Sequence, residues 1–123
     1  WEQTEPHPYM ASPVAVDLDA DGRDEVIVLT ADAWYHTSDI LVVDVADGAV
    51  RRTSGMRGRA VSTPVIADMD GDGALEMVTA MWLGPLAGST WTIQRRSLGV
   101  ADPGRIAWGA YLGTKYDGVF VGR

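Results

Sequence analysis

The sequence predicts an all-β fold, and three observations support this. A 51-residue repeat is present, since Ser12–Glu25 and Thr63–Glu76 match without a gap at seven of fourteen positions. The surrounding segments are short runs rich in β-branched residues and bounded by Gly, Pro and Asp, as is typical of strands and turns. No stretch keeps the spacing of three and four that an amphipathic helix requires. We therefore expect very little helix.

Each repeat is expected to contain four strands. In the first unit one strand leads into an acidic loop, a second leaves it, a third follows a polar loop and stops at the Asp47-Gly48 turn, and a fourth follows that turn. These predicted strands are Pro13–Val16, Glu25–Thr30, Asp39–Val45 and Ala49–Thr53. Their counterparts in the second unit are Thr63–Ala67, Glu76–Met81, Thr90–Arg96 and Arg105–Tyr111.

Four strands per unit is the composition of a β-propeller blade. The repeat divides the chain into four segments. Residues 1–11 are interpreted as the end of a preceding blade or an incoming strand, 12–62 as blade one, 63–113 as blade two and 114–123 as a C-terminal tail.

The acidic loops DLDADGRDE and DMDGDGALE carry carboxylates at positions one, three, five and nine, with glycine at position six. Calcium takes six to eight oxygen ligands, and alternate residues of a tightly curled loop direct their carboxylates at one centre. The seventh residue has only its backbone carbonyl to offer. The predicted ligands are Asp17, Asp19, Asp21, the Arg23 carbonyl and Glu25, then Asp68, Asp70, Asp72, the Ala74 carbonyl and Glu76. Two Ca²⁺ sites are expected.

Neither loop continues as an EF-hand. That motif needs a bidentate glutamate at position twelve and a following helix, whereas Val28 and Thr79 occupy position twelve here, inside strand-like runs. The alternative is a solvated acidic turn, in which Asp and Gly are common for local reasons. Two copies with one ligand pattern favour calcium. Magnesium is disfavoured because it prefers few protein ligands and retained water.

Composition excludes several other functions. The formal charge of −7 makes a nucleic-acid partner improbable, because affinity for phosphate backbones needs a concentrated cationic surface. Apolar runs such as Val26–Leu29 are only four residues long, so no membrane span is expected. The absence of cysteine excludes disulfides and thiolate metal sites.

The segments SPVAVDLDADGRDEVIV and TPVIADMDGDGALEMVTA resemble the FG-GAP or VCBS-type repeat of integrin α-subunit β-propellers and of many secreted bacterial proteins. The resemblance implies propeller blades, each with a calcium loop between its first two strands, and it assigns the same ligands as above. The segment WGAYLGTKYDGVF, from Trp108, is similar to the aromatic and glycine-rich segment that often follows the last blade in bacterial members.

A closed propeller needs four to eight blades, and this chain supplies two. The expected partners are therefore other propeller blades, from the same longer chain, from copies of itself or from another subunit. Two function classes stay open. The first is an extracellular calcium-stabilised module that contacts protein or carbohydrate or mediates assembly, as in cell adhesion. The second is the propeller portion of a secreted carbohydrate-active enzyme, such as a polysaccharide lyase.

The enzyme class is less favoured, because no convergent set of catalytic side chains is evident outside the acidic loops. Millimolar calcium outside cells suits such sites, so we expect an extracellular or secreted protein, at the cell surface or in the periplasm. His7 and His36 receive no role, and the Arg51-Arg52 and Arg95-Arg96 pairs are interpreted as solvated strand edges. Trp34 and Tyr35, in a polar loop, are the candidate partner-binding residues.

Overall fold

A computed structural model of the chain describes residues 1–2, 4–34, 37–84, 88, 90–103 and 106. Within these residues the fold is all-β, with two antiparallel sheets and no helix, as the sequence predicts. The strands found in these residues are β1 Tyr9–Met10, β2 Val14–Val16, β3 Glu25–Ala31, β4 Thr37–Val43, β5 Val50–Arg57, β6 Arg59–Ala60, β7 Val65–Ala67, β8 Ala74–Leu83 and β9 Thr90–Ala101.

The first sheet is an antiparallel meander with an interrupted edge. Strands β1 and β2 both pair with β3, which pairs with β4, which pairs with β5. Between β1 and β2 the Ala11 N–H donates to the Leu29 carbonyl at 2.9 Å, so the edge stays in register across the interruption. The break lies next to Pro13, which has no N–H to give to a ladder.

The second sheet has the same arrangement over the described residues. Strands β6 and β7 both pair with β8, which pairs with β9. Strand β7 begins 51 residues after β2, and both pair with the start of the next strand, Ala67 with Glu76 and Val16 with Glu25. The fourth strand expected at Arg105–Tyr111 lies outside the described residues, except for Ile106.

The two sheets share one hydrophobic core. Its members alternate along the strands, as expected where one face of each sheet is buried. Full burial of such an aliphatic side chain contributes about 1.5–3 kcal/mol, so this layer is the main source of stability. The core residues are Val14, Val16, Ile27, Leu29, Ile40 and Met56 from the first sheet, and Ala60, Ile66, Leu75, Met77 and Met81 from the second.

A polar contact and a tight turn hold the sheets together where the chain passes from β5 to β6. The buried Ser38 hydroxyl donates to the Gly58 carbonyl and accepts from the Ala60 N–H, both at 2.8 Å. Gly58 has φ +99°, and a Cβ there would lie 2.8 Å from a methyl of Leu83. A larger residue is therefore excluded by both conformation and space.

Several boundaries differ from the sequence prediction. Strand β4 ends at Val43 rather than Val45, and β5 continues to Arg57 rather than ending at Thr53. Strand β9 continues to Ala101 rather than ending at Arg96. Its pairing with β8 shifts register between Ala74 and Glu76 of β8. The two-residue strands β1 and β6 were not predicted, because pairs this short are determined by the neighbouring strand and not by their own sequence.

Candidate metal centre

Each acidic loop joins the edge strand of a sheet to the next strand. We call Asp17–Glu25, between β2 and β3, the first acidic loop, and Asp68–Glu76, which begins after β7 and runs into β8, the second acidic loop. The last ladder pair before each loop places its closing glutamate opposite the last residue of the edge strand, Glu25 opposite Val16 and Glu76 opposite Ala67. Both loops lie near the end of β9, since the Asp102 N–H donates to the Gly73 carbonyl at 2.9 Å. Residues 100–103 also line a cavity of about 350 Å³ with residues 17–20.

Matching hydrogen bonds to the first and last acids curl both loops. Asp17 Oδ2 accepts the Gly22 N–H at 3.0 Å, and Asp68 Oδ2 accepts the Gly73 N–H at 2.9 Å. Oε2 of the closing glutamate accepts the N–H of the loop's second residue, at 2.7 Å in the first loop and 2.9 Å in the second. The loops are therefore shaped by their own acidic side chains.

The tight curl also needs left-handed backbone at two positions in each loop. Gly22 and Gly73 at position six have φ +89° and +86°, which glycine adopts without steric cost because it lacks a Cβ. At position four the first loop has Ala20 with φ +62°, whereas the second has Gly71 with φ +78°. The first loop thus holds an alanine in a conformation that L-residues rarely adopt.

Three acids of each loop come together, at positions one, three and nine. One carboxylate oxygen from each of Asp17, Asp19 and Glu25 lies within 4.8 Å of the others, and the same holds for the second loop. Each group could hold a metal ion. The second group consists of Asp68, Asp70 and Glu76.

The acids at position five are not part of these groups. Asp21 Oδ1 accepts the Arg23 N–H at 2.7 Å, and Asp72 Oδ1 accepts the Ala74 N–H at 2.8 Å. These are local turns of the kind that Asp forms with the backbone two residues on. Liganding by Asp21 and Asp72, and by the carbonyls of Arg23 and Ala74, stays a prediction.

The first cluster has a buried glutamate and no ion pair with an arginine or lysine over the described residues. Glu25 is 2% exposed, and burial raises its pKa above the usual value. The Leu18 N–H and the charge of Arg51 lower that pKa, and Asp19 and Asp17 raise it further. Asp17 Oδ1 is buried without a hydrogen-bond partner. A buried acceptor of this kind is costly unless something neutralises it. The donor set and the orphaned oxygen both fit a hard cation such as Ca²⁺.

The second cluster is compensated by an arginine from β9. Arg95 Nη2 contacts Asp70 Oδ2 and lies 3.3 Å from Glu76 Oε1. The hydrogen bond from Arg95 lowers the pKa of Asp70, and the same hydrogen bond raises that of the guanidinium. Arg95 is 51% exposed on an edge strand of the described sheet, as the solvated-edge interpretation expects, but it also ion-pairs with two candidate ligands, which the sequence did not predict.

A second convergent group lies away from the loops and was missed in the sequence. Arg52 Nη2 is 2.6 Å from Glu5 Oε2, and its Nη1 is 2.8 Å from Asp39 Oδ2. His7 Nδ1 lies 3.0 Å from Glu5 Oε1 and 3.3 Å from the Thr30 hydroxyl. His7 and Arg52 thus help to hold the N-terminal segment onto the first sheet, and Arg52 does so while 37% exposed on edge strand β5, where the sequence predicts a solvated residue. No spacing signal could reveal it, since Glu5 and Arg52 are 47 residues apart.

Of the two candidate partner-binding residues, Trp34 is described and Tyr35 lies outside the described residues. Trp34 is 77% exposed, and its backbone N–H donates to Asp32 Oδ1 at 3.0 Å. Its exposure agrees with a loop position. Trp91, on β9, is also exposed, at 64%.

Comparisons with family models, with curated proteins and with solved structures find no match for this chain. The part of the chain that the structure describes contains no helix of a length and apolarity sufficient to cross a membrane. The two acidic clusters are therefore the features of the described residues that bear most directly on function.

Proposed function

We propose that this chain is a calcium-binding structural or interaction module, made of two blade-like units of an extracellular β-propeller. One observation carries the proposal: Asp17, Asp19 and Glu25 converge in the first loop, and the acids 51 residues later converge in the second. A solvated turn would leave its acids free to separate. Here the closing glutamate of each loop is 2% exposed and is held by a backbone N–H.

Charge supports a divalent ion at these positions. Three carboxylates within a few ångströms repel one another unless a cation lies between them. Two Ca²⁺ ions carry four positive charges and would change the formal charge of the chain from −7 to −3. Because the clusters depend on the folded loops, calcium would bind the native state and stabilise it by mass action.

A closed β-propeller needs more blades than the two units of this chain supply. Each described sheet exposes part of its surface, including Trp91 and Ile93 of β9 at 64% and 80%. We propose that further blades, from a longer chain, from copies or from another subunit, complete the propeller, and that the module contacts protein or carbohydrate outside the cell.

Calcium titration of the full chain by isothermal calorimetry tests the metal site, with native mass spectrometry counting the bound ions. We expect two ions, with dissociation constants of about 10⁻⁴–10⁻³ M if the sites resemble other extracellular modules, and weaker binding of Mg²⁺. Asp19→Asn should remove one ion. Asp24→Asn is the matched control, because Asp24 lies in the same loop but outside the cluster.

Absence of calcium binding at 10 mM would contradict the metal site. Equal loss of binding in Asp19→Asn and Asp24→Asn would contradict the assignment of ligands, because it would show a general effect of acidic charge. Light scattering in calcium and in chelator tests the assembly separately. An unchanged monomer that keeps its metals would contradict self-completion by copies of this chain.

A further inference from the structure

The second acidic loop already faces a positive charge that belongs to the protein. Strand β9 pairs with β8 so that Arg95 lies opposite Val78. Val78 and Glu76 are two residues apart on β8, so the Arg95 side chain lies on the same face of the sheet as the Glu76 side chain. From there its guanidinium reaches both Asp70 and Glu76, two of the three clustered acids. The third, Asp68, instead accepts the N–H groups of Gly71, Asp72 and Gly73.

The first loop has no cation in direct contact with its acids. Ile27 is the counterpart of Val78, and its partner on β4 is Val42, so an apolar residue takes the position that Arg95 has in the second sheet. Arg51, opposite Val42 on β5, attracts the Glu25 carboxylate electrostatically without forming an ion pair with it. Over the described residues, no ion pair joins an arginine or lysine to Asp17, Asp19 or Glu25. The two loops share one acidic pattern but meet different neighbours.

We propose that Arg95 is a built-in competitor for the second loop, so that the first loop binds calcium at lower concentration and the second only when Arg95 leaves. This inference rests on the proposed calcium-binding function. One carboxylate oxygen cannot be held by a guanidinium and a calcium ion at full strength together, and the two cations repel each other. Arg95 is free to move, because its side chain is 51% exposed.

With Arg95 as competitor, the two loops bind calcium in two different ranges of calcium concentration. At low calcium the second loop keeps its charge balance through Arg95, and the first loop fills alone. At high calcium the second ion displaces the guanidinium into solvent. An exposed ion pair contributes little, so the effect on affinity is moderate, about fivefold.

Calorimetric titration with CaCl₂ tests this in an Asp17→Asn background, where the remaining site reports the second loop. Arg95→Gln should tighten that site about fivefold. Arg96→Gln should leave it unchanged, because Arg96 is the neighbouring charge on the opposite face and makes no ion pair within the described chain. Arg95→Lys, which keeps the charge but lacks the fork that spans two carboxylates, should fall between them.

Thermal unfolding with and without calcium separates a competitor from a merely structural ion pair, which would stabilise the chain equally in both conditions. Without calcium, Arg95→Gln should unfold at a lower temperature than Arg96→Gln, because Asp70 and Glu76 lose their counter-ion. In saturating calcium that difference should vanish or reverse. If Arg95→Gln does not fold, Arg95→Lys carries the same comparison.

The two proposals fail in different ways. If the remaining site binds calcium equally well in Arg95→Gln and Arg96→Gln, while the wild-type chain still binds both ions, Arg95 is not a competitor. The proposed calcium sites would be unaffected by that result. A chain that binds no calcium at either loop, with or without Arg95, would overturn both.

Discussion

The first and second acidic loops curl through the same two hydrogen bonds. The N–H of the glycine at position six donates to the first acid, and the N–H of the second residue donates to the closing glutamate. The two loops differ in what balances their charge. In the first loop a buried oxygen of Asp17 has no partner. In the second, Arg95 contacts two of the acids and Asp68 accepts three backbone N–H groups.

This difference shows that loop shape and charge balance are separate properties of the motif. The two hydrogen bonds that curl the loop are the same in both copies. Charge balance differs, partly within the loop, where Asp68 accepts two more backbone N–H groups than Asp17 does, and partly through Arg95 on the neighbouring strand. A repeated motif can therefore keep its curl while the charge of each copy is balanced differently.

The largest expected effect comes from removing the first acid of each loop. In 10 mM calcium, Asp17→Asn should lose most of the calcium-dependent stabilisation, about 2.7 kcal/mol for a site filled at a hundred times its dissociation constant. Asp68→Asn should lose a smaller share, because its site is the weaker one. Without calcium the order should reverse, with Asp68→Asn costing about 1 kcal/mol through weakened backbone hydrogen bonds. Chemical unfolding in calcium and in chelator measures both.

The control for that pair is Asp24→Asn, which changes charge in the first loop without touching a clustered acid. Its unfolding free energy should respond to calcium as the wild type does. The same order of stability for Asp17→Asn and Asp68→Asn with and without calcium would contradict a difference in charge balance between the two loops.

A smaller effect is expected from neutralising the closing glutamate. Because burial raises the pKa of Glu25, its charge opposes folding above that pKa. Glu25→Gln should therefore abolish calcium binding at the first loop yet leave the calcium-free fold as stable as the wild type or more so. That advantage should shrink as pH falls to 4.5, the pKa of an unperturbed glutamate, and disappear below it, where the wild-type carboxyl is protonated in both the folded and unfolded states.

Glu76→Gln is the matched variant in the second loop. It should lower calcium-free stability, because Arg95 loses one of its two partners. Chelator-treated samples of both variants, unfolded thermally at pH 7 and pH 4.5, supply the data. A calcium-free Glu25→Gln that is clearly less stable than the wild type at pH 7 would contradict the account of the first cluster.

The sequence predicts what depends on local pattern. Short apolar runs bounded by proline and Asp-Gly turns are close to the observed limits of β2, β3 and β7, and the spacing of acids in the loops correctly brings positions one, three and nine together. Position five is different, since Asp21 and Asp72 bond to backbone two residues on. Local hydrogen bonding competes with convergence on a centre, and spacing alone does not decide between them.

Features that depend on strand packing were not predictable. Arg95 reaches the second cluster through the register of β8 and β9, and Arg52 joins Glu5 to Asp39 across three separate segments. A pair of adjacent arginines looks the same in sequence whether it faces solvent or a carboxylate. The charge balance that distinguishes the two loops is therefore visible only once the sheets are built.

The smallest expected effect tests whether the two loops have the same backbone conformation, whatever balances their charge. At position four, Ala20 and Gly71 both have positive φ, and a Cβ on Gly71 would meet nothing within 4 Å. Ala20→Gly should therefore raise calcium-free stability by about 0.5 kcal/mol, because relief of left-handed strain outweighs the added freedom of the unfolded chain. Gly71→Ala should lower it by a similar amount for the reverse reason. If both changes acted in the same direction in denaturant unfolding, the two loops would differ in backbone as well as in charge, and Arg95 alone would not account for unequal calcium affinities.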